Sequence, residues 1–92
     1  MIVRLRLFGM LQRLCGGERF ALDLPPGATL ADLLEAIDER WGAALPAGLW
    51  DRQRRRFSGP VVLLSDGRDL HDPAMPLVEG QDISLVVPLA GG

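Results

Sequence analysis

Residues 77–92 read LVEGQDISLVVPLAGG, and this stretch decides how the rest of the chain is understood. Asp82 to Val87 alternate as a strand with Ile83, Leu85 and Val87 on an inward face, while Val86 on the opposite face is apolar too. Pro88 brings no backbone N–H to a ladder and ends the pairing. Leu89, Ala90, Gly91 and Gly92 follow, and two glycines place no Cβ near a terminal carboxylate and leave the backbone free to take whatever dihedrals a narrow channel demands. By composition alone, two final glycines occur in about half a percent of chains. An ordinary frayed end explains them equally well in isolation, so the weight falls on the elements that precede them.

Working back to the start, Val3, Leu5 and Leu7 alternate with Arg4 and Arg6, the period of a strand with one buried face. ERFALDL repeats the pattern with Phe20, Leu22 and Leu24 inward, and Gly16-Gly17 in the intervening stretch predicts a hairpin between the two strands. Thr29 is a helix N-cap, with Asp32 placed near the free amides of the first turn. Leu30, Leu33, Leu34, Ile37 and Trp41 then form one apolar stripe, and Gly42 supplies a stop. Residues 42–60 lose all periodicity and read as an irregular connection with one short turn around Leu49 and Trp50. VVLLSDG gives a well-buried strand at residues 61–64 closed by the Asp66-Gly67 turn, and HDPAMPLVEG reads as turns. A hairpin, one helix and further strands make an α+β fold, a mixed sheet covered by one main helix. If the last strand lies beside the first, flexibility begins only at Pro88, and the whole chain, residues 1–92, is one domain with its tail at 88–92.

Ninety-two residues are enough to bury roughly 60–65% of the surface of the unfolded chain, so neither disulfides nor metal are required for a core. A net charge of −2 argues against a dedicated nucleic-acid binder. Cys15 is the single cysteine, which fits a reducing, cytoplasmic setting. The opening MIVRLRLFG lacks the pattern of a signal peptide, and no segment has the length of a membrane span. All ten basic residues are Arg. A P-loop needs a lysine on the phosphates, so any ATP used with this chain is expected to be handled by another protein.

With LFG closing the first strand, the GATLADLLEAI helix entry, LVEGQDISLVVP and the final Gly-Gly, the sequence resembles the MoaD/ThiS family of ubiquitin-like, β-grasp sulfur carriers over nearly its whole length. The resemblance implies that Gly92, preceded by Gly91, is adenylated by an E1-like adenylyltransferase using ATP and magnesium, then converted to a thiocarboxylate. The chain itself would hold no cofactor or metal. It implies as partners that activating enzyme and the large subunit of molybdopterin synthase or another sulfur acceptor, and so a non-catalytic subunit of a sulfurtransferase. It further implies that Phe8, Leu70 and Val86 form an apolar patch on the exposed sheet face, with Pro88, Leu89 and Ala90 in the inserted tail. The longer 42–60 connection departs from compact members, leaving a carrier for cysteine or thiamin synthesis, a protein modifier joined through Gly92 to target lysines, and a plain interaction module as alternatives.

Arg52, Arg54, Arg55 and Arg56 form the strongest charge cluster and are candidates for contact with a phosphate or an acidic partner, although solvated loop is the ordinary reading of such a run. Cys15 has only Arg13 and Arg19 near it in sequence to activate a thiolate and is expected to be an inert small hydrophobe. His71 between Asp69 and Asp72 lacks recognised metal-ligand spacing.

Overall fold

The computed structural model describes residues 1–88. Its order is β1 (Ile2–Leu7), α1 (Met10–Cys15), β2 (Arg19–Asp23), α2 (Leu30–Trp41), β3 (Trp50–Asp51), β4 (Arg56–Phe57), β5 (Val62–Ser65), β6 (Arg68–Asp69) and β7 (Asp82–Val86). Five strands make one mixed sheet in the order β2-β1-β7-β5-β6. β1 pairs antiparallel with β2 and parallel with β7, so the last strand lies beside the first, as expected. The pairings Leu5↔Ile83 and Leu7↔Leu85 put the apolar positions of both central strands on one face.

That face is covered by α2. Leu30, Leu33, Ile37 and Trp41 are buried in the same cluster as Val3, Leu5, Leu7, Leu22, Ile83 and Leu85, the helical stripe meeting the inward residues of the strands. The N-terminus of α2 is held as expected: the Asp32 carboxylate accepts the Thr29 backbone N–H at 2.8 Å, satisfying a donor that the helix leaves free. Residues from the segment before β7 secure the same end, since Leu30 N–H donates to Met75 O at 2.9 Å and Leu77 N–H to Ala28 O at 2.9 Å.

Three features differ from the sequence reading. The two N-terminal strands pair as expected, but their connection contains α1, a six-residue helix whose Leu11 is buried; Gly16 ends it at φ 80°, a left-handed position that suits glycine. Within residues 42–60, β3 and β4 form a small hairpin in which Trp50 faces Phe57, their rings edge to face with centroids 4.8 Å apart. The Asp66-Gly67 turn opens into β6, which pairs Leu64 with Asp69 and Ser65 with Arg68. Each element is too short to announce itself by periodicity: α1 is anchored by buried Leu11 and the β3–β4 hairpin by buried Trp50, whereas β6, exposed along its length, is held by its ladder to β5.

The β3–β4 hairpin is fastened to α2 through Asp38. Its Oδ1 accepts Trp50 Nε1–H at 2.8 Å and Arg52 Nε–H at 3.3 Å. Gly42 lies directly beneath, where a Cβ would come within 2.5 Å of Asp38 O, so close approach, and not a left-handed conformation, requires glycine there. The Trp50 hydrogen bond, joined by Arg52, holds the Asp38 carboxyl below its ordinary range against a smaller opposing effect of burial.

Leu33 is fully buried, and Leu33→Ala is expected to destabilise the fold by about 2–5 kcal/mol in urea denaturation, from lost transfer energy and a residual cavity. Because the Asp38 pKa is lower folded than unfolded, its stabilisation is present above about pH 4 and is lost as pH falls through the folded value. Asp38→Asn keeps an acceptor but not the charge, so thermal melts across pH 6 to 2 should show a flatter acid limb in the variant.

Candidate functional site

The outer face of the sheet carries the expected patch in altered form. Alternation along β1 leaves Ile2, Arg4 and Arg6 outward, and Phe8, continuing it, is 37% exposed with the Arg6 guanidinium 5.3 Å from its ring centroid. Val86 ends β7 on the same face and is half-buried. Leu70 is not part of this surface: it is buried at 5% exposure. Its N–H donates to Leu63 O at 2.7 Å, extending the antiparallel ladder so that Leu70 stands opposite inward-facing Leu63 and shares its face. The surface position is filled by Val62, which pairs directly with Val86, and by Leu64 opposite Ser84. VVLL has no alternation, so period-2 reasoning could not tell which of its residues face out; the β5–β7 register does.

Pro88 is exposed just beyond β7, whereas Leu89, Ala90, Gly91 and Gly92 lie outside the described residues. β7 is the middle strand of the five, so the chain reaches Pro88 from the most supported position in the sheet, beside the end of β1 that carries Phe8.

The arginine cluster sits elsewhere, on the β3–β4 hairpin against α2. Arg52 Nε lies 3.3 Å from Asp38, Arg54 Nε 3.9 Å from Asp51 and Arg55 Nη1 3.2 Å from Glu35. Only Arg56 of the four has no ion pair among the described residues. Arg55 also takes φ 53°, an uncommon conformation for a non-glycine residue. The cluster therefore joins hairpin to helix, with three of its charges already answered. Its neighbour Trp41 is core, edge to face with Phe20 at 4.8 Å.

Cys15 is half-buried; burial pushes its thiol pKa up, and Arg40, distant in sequence, pulls partly the other way. A raised pKa means less thiolate near neutrality. His71, Asp69 and Asp72 are exposed, and no group of three His, Cys, Asp or Glu side chains arranged to hold a metal occurs among the described residues. No helix among those residues is long and apolar enough to cross a membrane.

No protein-family model matches the sequence, and no curated protein does. Solved structures do match. SAMP1 from Haloferax volcanii superposes with TM-score 0.80 at 21% identity over 100% of both chains. A candidate molybdopterin converting factor subunit 1 from Pyrococcus furiosus gives 0.73 at 22%, covering 97% of this chain and 99% of the other. A chain from the protein-protein complex of subunits 1 and 2 of molybdopterin-converting factor from Helicobacter pylori 26695 gives 0.64 at 23% over 100% of both. Superposition over nearly full chain lengths, at identities this low, is a likeness of architecture. In fold the chain is a ubiquitin-like β-grasp protein, of the kind seen in the MoaD-like converting-factor subunits and small modifiers among its structural neighbours.

Proposed function

We propose that this chain is a ubiquitin-like sulfur carrier that works through a carboxylate at Gly92, as the small subunit of a molybdopterin synthase. The supporting observation is topological: β7, paired parallel with β1 in the middle of the sheet, brings the chain to Pro88 at the edge of an apolar outer-face patch of Phe8, Val62 and Val86. A partner covering that patch would sit where the PLAGG segment begins. The architecture matches a chain solved in a complex of converting-factor subunits 1 and 2, which favours a large-subunit partner for this chain as well.

The chemistry follows from the poor reactivity of a carboxylate, whose leaving group would be oxide. An E1-like adenylyltransferase would join the Gly92 carboxylate to the α-phosphorus of ATP, breaking the bond to pyrophosphate and leaving a mixed anhydride. Hydrosulfide, or the terminal sulfur of a persulfide, would attack the acyl carbon; the C–O bond breaks and AMP departs with the electron pair, and in the persulfide case a thiol then cleaves the S–S bond of the acyl disulfide, itself ending in a disulfide with the former persulfide sulfur. Loss of a proton leaves –COS⁻, the sulfur donor. This chain contributes the acyl group and a docking surface, while ATP and magnesium belong to the partner. With no lysine anywhere in the sequence, the chain offers no side-chain amine to compete with sulfur for the activated acyl group.

Likeness to small archaeal modifier protein 1, with TM-score 0.77 at 19% identity over 96% of this chain and 98% of the other, favours a second reading in which Gly92 forms an isopeptide bond with lysines of target proteins. Both readings require Gly92.

Intact mass after incubation with ATP, magnesium, sulfide and the E1-like enzyme of the source organism should rise by about 16 Da as sulfur replaces oxygen, and deletion of Gly92 should abolish the gain. Covalent adducts to lysines of other proteins, without the thiocarboxylate, would instead establish the modifier. Val86→Asp is expected to weaken the subunit complex about tenfold or more, while the loss of strand propensity at this half-buried central position lowers the melting temperature by only about 4–8 °C.

A further inference from the structure

The outer face also carries a stripe of arginines. β1 and β2 pair Arg6 directly with Arg19 and Arg4 with Ala21. Like charges directly opposite each other on a sheet are destabilising, and among the described residues the one ion pair that relieves them is the exposed Arg6–Glu18 pair at 3.7 Å. Among the described residues neither Arg4 nor Arg19 forms an ion pair, although Asp82 is in register with Arg4. The contrast is with the hairpin cluster, where carboxylates answer three arginines of four. Arg4, Arg6, Arg19, Ala21, Asp82 and Ser84 line a shallow depression of about 650 Å³ across β2, β1 and β7. Its arginine side runs through Arg6 and the Phe8 ring into the Val62–Val86 patch.

We propose that this depression is the polar half of the docking surface, and that it selects a protein partner presenting carboxylates beside an apolar side chain. The guanidiniums of Arg4 and Arg19 are free to take carboxylates in bidentate geometry, and Phe8, Val62 and Val86 receive the apolar group. Charge steers the encounter and fixes orientation, while apolar burial supplies the larger share of affinity. The cross-strand repulsion that folding leaves in place is relieved when carboxylates arrive. A nucleic acid fits less well, since the carboxylate of Asp82 stands in the depression and the adjoining patch sets Phe8 among valines, without the row of rings on which successive bases stack. The inference rests on the carrier reading for the identity of the partner, but not for the chemistry of the surface.

Two measurements separate these. The ¹⁵N-labelled protein is titrated with a peptide of alternating Glu and Leu, with its Lys counterpart and with a single-stranded oligonucleotide. The acidic peptide should shift the amides of Arg4, Arg6, Arg19, Ser84 and Val86, and the paired charge reversal Arg4→Glu with Arg19→Glu should abolish those shifts. Absence of shifts, shifts centred on Arg54 to Arg56, or a stronger response to the oligonucleotide overturns the proposal. With the E1-like enzyme, the same variant should raise KM about tenfold at low salt with kcat kept, and its KM should lose most of its salt dependence. An unchanged KM, with wild type thiocarboxylated, overturns the docking surface and leaves the carrier intact; a wild type that is never thiocarboxylated overturns the carrier, and the titration still decides the surface. Arg4→Glu sets a like charge beside Asp82, so the pair Arg4→Gln with Arg19→Gln, which removes the guanidiniums without adding a carboxylate, is measured too: it should keep the wild-type melting temperature and still lose the shifts, which keeps loss of folding from imitating loss of docking.

Discussion

The parallel pairing of β1 with β7 is the constraint on which the rest of the molecule depends. It joins the two ends of the described chain, with Arg4↔Asp82 through Leu7↔Leu85 in register, and a parallel pair cannot be closed by a tight turn. Everything between must therefore leave the sheet and return. β2 and β5 complete the flanks of the central pair, and α2 spans the inner face that both strands make apolar. The register also fixes the outer face. Once Leu7 lies beside Leu85, Arg6 lies beside Ser84, and Phe8 and Val86 come together one step further along.

Much of this was legible in the sequence, for a definite reason. β1, β2 and β7 each have one wet face, so their alternation survives in the residue order, and α2 has a capped start and a single apolar stripe from Leu30 to Trp41. Where an element is buried on both sides or is very short, the pattern vanishes. VVLL hides which residues face out, and for that reason Val62 was missed, while Leu70, apolar and after a turn, was misplaced. The outward position of Leu70 failed because its ladder bond to Leu63 O sets its face, and a ladder bond is a tertiary fact. The β3–β4 hairpin was invisible for a similar reason: Trp50 finds Phe57 and Asp38 only after α2 has been placed.

Charge tells the two arginine groups apart, where counting them does not. The run at Arg52 to Arg56 draws the eye in the sequence because its members are adjacent, yet folding sets it against Glu35, Asp38 and Asp51. It closes a hairpin onto a helix, at the cost of an uncommon backbone angle at Arg55. Arg4, Arg6 and Arg19 are scattered in sequence and look like the wet positions of two amphipathic strands. Strand pairing gathers them on one surface, with two guanidiniums unpaired among the described residues. Sequence proximity and unmet charge are thus opposite guides here.

The same geometry separates stability from recognition. The core rests on leucines, Ile37, Ile83 and Trp50 that have almost no exposed surface, whereas the outer-face residues Phe8, Val86, Arg4 and Arg19 contribute little to it. Pro88, the last described residue, is exposed just beyond β7 and takes no part in that core. The body would then serve to present one strand end beside one surface, and recognition could be retuned by changes on β1, β2 and β7 that point outward. Inward changes on those same strands, one residue away, would act through α2 and the core instead, and this alternation gives a domain of this size two nearly independent sets of residues to vary.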